Sequence, residues 1–385
     1  MQELDQFKNL DPVNRAYLEK YLRSLHMNGI RPRTIHSKLW RTYIVLKHLE
    51  FKDARTLTRE DIENYLIGRK DEVSRRGRKV SPITIQGEIL EVRLFLRWLT
   101  PEKEADLFPF KMKRQKHILP VDRLITKDEV SRLVEACTNQ RDRALLMFLW
   151  DSAGRISEVM NLKIGDVQFD RYGAVVILDG KTGRRRLRLT SCVPDLQAWV
   201  NIHPLRTNTE APLFVTGRRY GSTVRQLSIR TVENSLKGIA RRAGVRNVHP
   251  HLIRHARLTD LTRSEGDKKG LSEMELRIVA GWEKSSAMPE IYVHMSGEDV
   301  EKKILRNAGL IDDNGTRDTT LDPRKCPRCG ILNTPSAMYC SACSLILDAK
   351  TALLFEEKKR RIHTSEEYQT LEERLQRLEK RVGGD

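Results

Sequence analysis

Residues 249–255 of the sequence read His-Pro-His-Leu-Ile-Arg-His, which places His251 and Arg254 three positions apart. Residues at this spacing share one face of an α-helix, so an imidazole and a guanidinium would project side by side. Alone, such a pair is common on helix surfaces and indicates no chemistry. Its interpretation depends on three other segments of the chain.

These segments carry residue types that complement the pair. Arg155 lies in Ser-Ala-Gly-Arg-Ile-Ser-Glu-Val, Lys181 lies in Gly-Lys-Thr-Gly between two strand-like stretches, and Trp282 of a Gly-Trp pair precedes Tyr292 by ten residues. The order Arg, hairpin Lys, His-x-x-Arg, Gly-Trp, Tyr resembles that of the tyrosine recombinase (phage integrase) family. The resemblance extends over residues 126–305 and, more loosely, over the helical region before them.

The resemblance implies a catalytic role for six residues. They are the first arginine, the hairpin lysine, the histidine and arginine of His-x-x-Arg, the residue after the glycine, and the nucleophile: Arg155, Lys181, His251, Arg254, Trp282 and Tyr292. The family usually has histidine where this chain has tryptophan. The indole N–H still donates one hydrogen bond but cannot shuttle a proton.

Phosphodiester transfer suits these residue types. Two guanidiniums can clamp the non-bridging phosphate oxygens as negative charge develops on them. A phenol with a pKa near 10 needs a proton acceptor, for which His251 is a candidate as base or orienter. Lys181 is the candidate donor to the departing 5′ oxygen. The 3′-phosphotyrosyl product keeps the phosphodiester energy, so we expect no requirement for ATP. No cluster of Asp and Glu with the spacing of a Mg²⁺ site accompanies the arginines in the sequence, so we expect no catalytic metal.

Four polar residues near these motifs have alternative interpretations. Glu158 and Asp166 could orient Arg155, but we expect them to be ordinary surface carboxylates. His255 could be a partner of the site or a structural histidine. His294 is expected to be structural.

The charge balance points to a polyanionic partner. The 385 residues include 70 Lys and Arg against 52 Asp and Glu, a net charge of +18. Double-stranded DNA is the expected partner. The resemblance implies a homotetramer on two duplexes, with accessory proteins as further candidates. There is no long apolar run and no apolar N-terminal leader, so we expect a cytoplasmic protein without a membrane partner.

Hydrophobic periodicity predicts a multidomain, mainly α chain. Residues 1–100 carry the spacing and caps of four main helices, and the resemblance assigns them to a core-binding (SAM-like) DNA-binding domain. The basic, proline-containing stretch 101–125 is typical of a linker. Residues 126–309 combine helical patterns with two strands at 174–178 and 186–190, which predicts an α+β catalytic domain.

Four of the six cysteines form two CxxC pairs with ten residues between them: Cys326, Cys329, Cys340 and Cys343. The pattern resembles a zinc ribbon, and four thiolates suit tetrahedral zinc. We therefore predict a structural Zn²⁺ in a ribbon at residues 322–347. A charged helical tail at 350–385 follows, with a coiled-coil seam of about two heptads.

Site-specific strand exchange, in DNA integration or excision, is the function that these motifs favour, and they look most like integrases of archaeal mobile elements or viruses. A type IB topoisomerase-like enzyme, a DNA-binding regulator without catalysis, and a zinc-ribbon transcription or scaffold factor are the alternatives. The candidates for phosphate contacts are basic residues of both main domains: Arg31, Arg33, Lys38, Arg41, Arg184, Arg185, Arg186, Arg188, Arg218, Arg219, Arg225, Arg230, Arg241 and Arg242.

Overall fold

The computed structural model describes residues 4–7, 9–73, 77–110, 123–180, 183–216, 223–263, 270–292, 304–305, 308, 318–363, 370–376 and 378. The chain divides into two compact units, residues 1–118 and 119–385. Each unit has an apolar core of its own. None of the helices in the described ranges is long and apolar enough to cross a bilayer.

The first unit is helical. Its helices are α1 (Pro12–Met27), α2 (Pro32–His48), α3 (Arg59–Asp71), α4 (Pro82–Leu99) and the short α5 (Glu104–Leu107). Proline in the first turn of α1, α2 and α4 presets a helical φ. Thr58 and Asp61 form the capping box of α3. The four main helices agree with the sequence pattern, since most of its apolar positions are buried or half-buried.

The second unit places its helices around α7. In chain order they are α6 (Lys127–Glu135), α7 (Gln140–Ser152), α8 (Ile156–Met160), α9 (Val193–Asn201), α10 (Ile229–Arg242), α11 (Pro250–Thr262) and α12 (Glu273–Ala280). Every residue of α7 from Ala144 to Ser152 is buried. The helix packs against α9 and α11, so these contacts hold its C-terminal end in place within this unit.

A three-stranded antiparallel sheet completes the α+β architecture. Its strands are β1 (Val167–Asp170), β2 (Gly173–Gly180) and β3 (Gly183–Leu189), in the order β1-β2-β3. Both β2 and β3 are longer than the sequence predicts. Charged residues that suggest a turn are instead paired between the two strands, and the pairing continues to Gly180 opposite Gly183. β1 was not predicted, since a four-residue strand gives too short an alternation.

The cysteine-rich segment lies against the core of the second unit. It contains the strands β4 (Arg324–Lys325) and β5 (Leu332–Asn333), and helix α13 (Ala349–His363) follows. Leu321 is buried in the core of the unit, and Leu332 packs against that core. Two residues of the expected coiled-coil seam, Tyr368 and Val382, lie outside the described residues, and the coiled coil stays a prediction.

Candidate active site

Arg155 is fixed at the C-terminal end of α7. Ala153 has a left-handed backbone with φ of 46°, which is costly for a residue other than glycine. The turn makes Arg155 the N-cap residue of α8. Its Nη1 donates to Oε1 of Glu158 at 2.7 Å, and its Nη2 donates to the carbonyl of Gly281 at 3.1 Å. One guanidinium thus connects α8 with the end of α12.

Arg254 projects from α11 toward the same point. Its side chain is buried, and it donates to the carbonyls of Ala153 and Ala280, both at 2.6 Å. Burial, followed by repulsion from Arg155, lowers the pKa of Arg254 to about 10. Carbonyl partners orient this cation without neutralising it, so the site favours an anion beside it.

Tyr292 follows a 3-10 turn at Met288–Ile291 and is 3% exposed. Its ring stacks on Trp282, with centroids 5.1 Å apart, and on His255, at 5.2 Å. Burial raises the pKa of the phenol to about 12, although Arg254 and Arg155 act in the opposite direction. The phenol is therefore protonated near neutral pH, and it needs a base in order to act as a nucleophile.

Two histidines of α11 extend from this phenol. The hydroxyl of Tyr292 lies 2.6 Å from Nδ1 of His255. Nε2 of His255 lies 2.8 Å from Nε2 of His251. The pair is four residues apart, which places both rings on one face of the helix. His255 therefore contacts the predicted nucleophile directly.

Five of the six predicted catalytic residues line one cavity of about 390 Å³. The cavity is bordered by Arg155, His251, Arg254, Trp282 and Tyr292, together with Glu283, Ser286 and Met288. The sixth residue, Lys181, lies outside the described residues, as does His294. The hairpin positions on either side of Lys181 and Thr182 are described, as Gly180 and Gly183.

Behind the cavity, Glu158 joins two arginines. It is buried, its Oε1 accepts from Arg155, and its Oε2 accepts from Arg185 at 2.7 Å. Arg185 also donates from Nε to the carbonyl of Val279 at 2.9 Å. The expectation of a surface carboxylate is wrong for Glu158, because the fold closes β3 and α12 over it. Asp166 is exposed, and it caps the turn at Lys163.

The chain is similar in sequence to known proteins. The model of the phage integrase family matches residues 123–298. The tyrosine recombinase XerC of Xylella fastidiosa (strain 9a5c) is 30% identical over 208 residues, which are 52% of this chain and 67% of the relative.

The chain belongs to the tyrosine recombinase family. XerA of Pyrococcus furiosus is 26% identical to it over 298 residues, 77% of this chain and 95% of the relative. Its enzymatic class is accordingly that of a site-specific recombinase. The topoisomerase, regulator and transcription-factor alternatives are not favoured.

Solved structures of similar fold are also recombinases. A lambda integrase tetramer bound to a Holliday junction matches with a TM-score of 0.56 at 13% identity, covering 76% of this chain and 80% of that one. XerH bound to its difH substrate matches with a TM-score of 0.51 at 16% identity, covering 74% and 83%. At these identities the likeness shows the fold.

The four cysteines of the recombinase converge in the ribbon. Their sulfurs all lie within 4.8 Å of one another, and Cys326–Cys343 and Cys329–Cys340 are each 3.5 Å apart. Four sulfurs about 2.3 Å from one zinc ion would be separated by about 3.8 Å. The donor set and its spacing therefore fit a tetrahedral metal ion.

Several candidate phosphate contacts of the recombinase have protein partners instead. Lys38 pairs with Glu91 at 2.7 Å, Arg188 pairs with Asp170 at 2.6 Å, and Arg185 is buried against Glu158. Arg185 is thus wrong as a DNA contact, because β3 alternates and this position faces inward. Arg184 and Arg186 are exposed on the other face of β3, and Arg218 and Arg219 lie outside the described residues.

Proposed function

We propose that the recombinase cleaves and rejoins DNA strands at this cavity, with Tyr292 as the nucleophile. The observation that carries the proposal is the convergence of a buried phenol, two arginines and a histidine on one small cavity. Attack by the phenol on a phosphodiester would leave a 3′-phosphotyrosyl bond and a 5′-hydroxyl. Reversal of the step rejoins a strand without ATP or a catalytic metal.

The two arginines would bind the phosphate that is transferred. Arg254 is oriented by two carbonyls and Arg155 by Glu158 and Gly281. Donors that are already in place stabilise developing charge without reorganising. A phosphate anion would also restore the pKa of Arg254, which burial and Arg155 lower to about 10.

Trp282 and Lys181 would act on either side of the phosphate. Trp282 stacks on Tyr292, and its indole N–H can donate to a phosphate oxygen. It supports the nucleophile and transfers no proton. Lys181, in the hairpin between β2 and β3, would protonate the departing 5′ oxygen.

The cysteine cluster would hold a structural Zn²⁺. Cys326, Cys329, Cys340 and Cys343 would be its ligands, and a closed four-thiolate site supplies structure. Its role would be to keep the ribbon folded, so that Leu332 packs against the core of the second unit.

Double-stranded DNA and further copies of the chain would be the partners. The net charge of +18 suits a polyanion, and the matched lambda integrase is a tetramer on a Holliday junction. We propose that both units contribute phosphate contacts, with residues 1–100 as the core-binding domain and 126–309 as the catalytic domain. Action on a mobile element, accessory proteins and a cytoplasmic location stay predictions.

Covalent trapping on a nicked substrate tests the nucleophile. The nick lies near the cleavage site, so that the short cut strand diffuses away and the covalent complex accumulates. The zinc-loaded full chain is incubated with native flanking DNA without Mg²⁺, with EDTA added in a second arm. We expect an SDS-resistant protein–DNA band in both arms, and no band with Tyr292→Phe.

The matched control is Tyr172→Phe, since Tyr172 is an exposed tyrosine of the same unit. It should give the band of the unchanged protein. A band that persists with Tyr292→Phe would mean that another residue is the nucleophile. Absence of a band on DNA that the protein binds would overturn the proposed cleavage activity.

A further inference from the structure

A continuous line of hydrogen-bonding groups leads from the predicted nucleophile to the cavity wall. It consists of the Tyr292 hydroxyl, the two ring nitrogens of His255, and Nε2 of His251, with successive separations of 2.6 and 2.8 Å. The His255 ring lies almost parallel to that of Tyr292, at 21°, and almost perpendicular to that of His251, at 80°. His255 therefore separates the phenol from His251.

The position of one proton in this line fixes the others. If the phenol donates to Nδ1 of neutral His255, the proton of His255 is on Nε2 and is donated to Nε2 of His251. The proton of neutral His251 is then on Nδ1. Within the described ranges, the charged groups that act on the phenol are Arg254 and Arg155, which only donate. Among the described residues, His255 is thus the acceptor suited to the phenolic proton.

We propose that the phenolic proton of Tyr292 leaves through His255 to His251. The O–H bond of Tyr292 breaks as an N–H bond forms at Nδ1 of His255. The N–H bond at Nε2 of His255 breaks as one forms at Nε2 of His251. The products are a phenolate, a neutral His255 and a His251 imidazolium, so protons and charge balance. Rejoining runs the same transfers backwards.

The charges around His251 explain why it would accept the proton when a phosphate occupies the cavity. His251 lies in the first turn of α11, and the positive end of a helix disfavours a cation there. Arg155 and Arg254 act in the same direction. A bound phosphate reverses this balance, because His251 lines the cavity and its imidazolium would face an anion. The relay would then accept a proton when a phosphodiester is in place. The inference rests on the proposed cleavage by Tyr292.

A double-mutant cycle on the full chain tests the relay. His255→Asn keeps an amide oxygen near the position of Nδ1, and His251→Gln keeps one near Nε2, but neither transfers a proton. We expect each to lower the single-turnover rate of covalent-complex formation about 100-fold or more, with DNA affinity within about threefold. The double variant should be at most about threefold slower than the slower of the two single variants, because loss of either histidine already interrupts the relay.

A site-specific fluorotyrosine distinguishes proton transfer from a packing role. Fluorine makes the phenol of Tyr292 more acidic. Fluorotyrosine at position 292 of the His255→Asn variant should therefore raise the cleavage rate of that variant at least about tenfold. A packing defect would not respond. Thr262→Val is the matched control, since the Thr262 hydroxyl donates to two backbone carbonyls, that of Thr259 at 2.8 Å and that of Tyr292 at 3.4 Å, and to no side chain of the relay. It should cleave within about threefold of the unchanged protein.

The outcomes separate the relay from the proposed function. If the unchanged protein forms no covalent complex on DNA that it binds, the cleavage proposal fails and the relay fails with it. If the unchanged protein forms the complex, two results overturn the relay alone. One is rate losses of His255→Asn and His251→Gln that multiply in the double variant. The other is His255→Asn at the unchanged rate.

Discussion

Gly281 lies where a left-handed turn meets the guanidinium of Arg185. Its φ is 62°, and a Cβ there would come within 2.7 Å of Nη1 of Arg185. We expect Gly281→Ala to lower the free energy of unfolding by about 1–2 kcal/mol through the backbone alone. It should also lower the cleavage rate at least about tenfold, because a displaced Arg185 loosens Glu158 and hence Arg155. Chemical denaturation and covalent trapping measure the two effects.

Gly244 provides the matched control for this substitution. Its φ is 63°, and a Cβ there would meet nothing within 4 Å. Gly244→Ala should show a similar backbone cost and an unchanged cleavage rate. Equal cleavage rates for the two variants would contradict the role given to Arg185.

Because of Glu158, the free energy of unfolding of the second unit should change with pH in the acid range. Burial raises the pKa of this carboxyl, but hydrogen bonds from Arg185 and Arg155 outweigh burial and hold it below its ordinary value of 4.5. A depressed pKa stabilises the fold above about pH 4.5, and the contribution is lost as the pH falls through the folded pKa. Glu158→Gln should therefore be less stable by about 3 kcal/mol at pH 7.

The difference should shrink as the pH falls below 4.5. Denaturant unfolding at a series of pH values measures it. Asp170→Asn is the control, because its partner Arg188 forms an exposed pair, and such pairs contribute little. A stability difference for Glu158→Gln that does not change with pH would mean that the charge of Glu158 is not what stabilises the unit.

Some of the residues around the cavity can be assigned a role from the sequence, and others cannot. The five candidates that line the cavity are recognisable because their residue types and their order along the chain resemble those of the tyrosine recombinase family. Glu158 and Arg185 could not be assigned in the same way, since their pairing depends on β3 and α12 meeting in space. One signal was present: Arg185 shares the buried phase of β3 with Leu187 and Leu189, which indicates an inward side chain.

At the scale of elements, the local sequence predicts helix caps and hairpins more accurately than it predicts where strands begin and end. The capping boxes at Thr58 and Thr126 are formed as their sequences predict. β2 and β3 extend beyond their apolar residues, because ladder pairing stabilises the charged ends as well. β1 depends on its pairing with β2, and this tertiary contact cannot be read from four residues.

The two cysteine knuckles of the ribbon differ at one equivalent position. The residue after each CxxC has a left-handed backbone, Gly330 with φ of 74° and Ser344 with φ of 58°. Glycine adopts this conformation without the cost that serine pays. Ser344→Gly should stabilise the metal-bound ribbon by about 1 kcal/mol, which is about a fivefold gain in zinc affinity measured by chelator competition. Gly330→Ser should lower the affinity by a similar factor, and an opposite order would contradict the argument.

At the scale of the whole molecule, the larger apolar core of the second unit includes residues next to the cysteine cluster. Leu321 is buried in that core and Leu332 packs against it, while Lys127 contacts the carbonyl of Asp318 at 3.2 Å. Burial of a leucine side chain contributes about 1.5–3 kcal/mol. Loss of metal should therefore destabilise the unit and not the ribbon alone.

Cys343→Ser tests this coupling in the full chain. We expect zinc content to fall and the thermal midpoint of the second unit to drop by at least about 4 °C, since 1 kcal/mol corresponds to about 2–4 °C at this size. Cys137→Ser is the control, because Cys137 lies outside the cluster and a serine hydroxyl can keep its contact with the carbonyl of Leu133. Zinc loss with an unchanged midpoint would show that the ribbon is energetically independent. A lower midpoint would make the ribbon part of the scaffold that supports α7 and α11, and α11 carries the candidates His251 and Arg254.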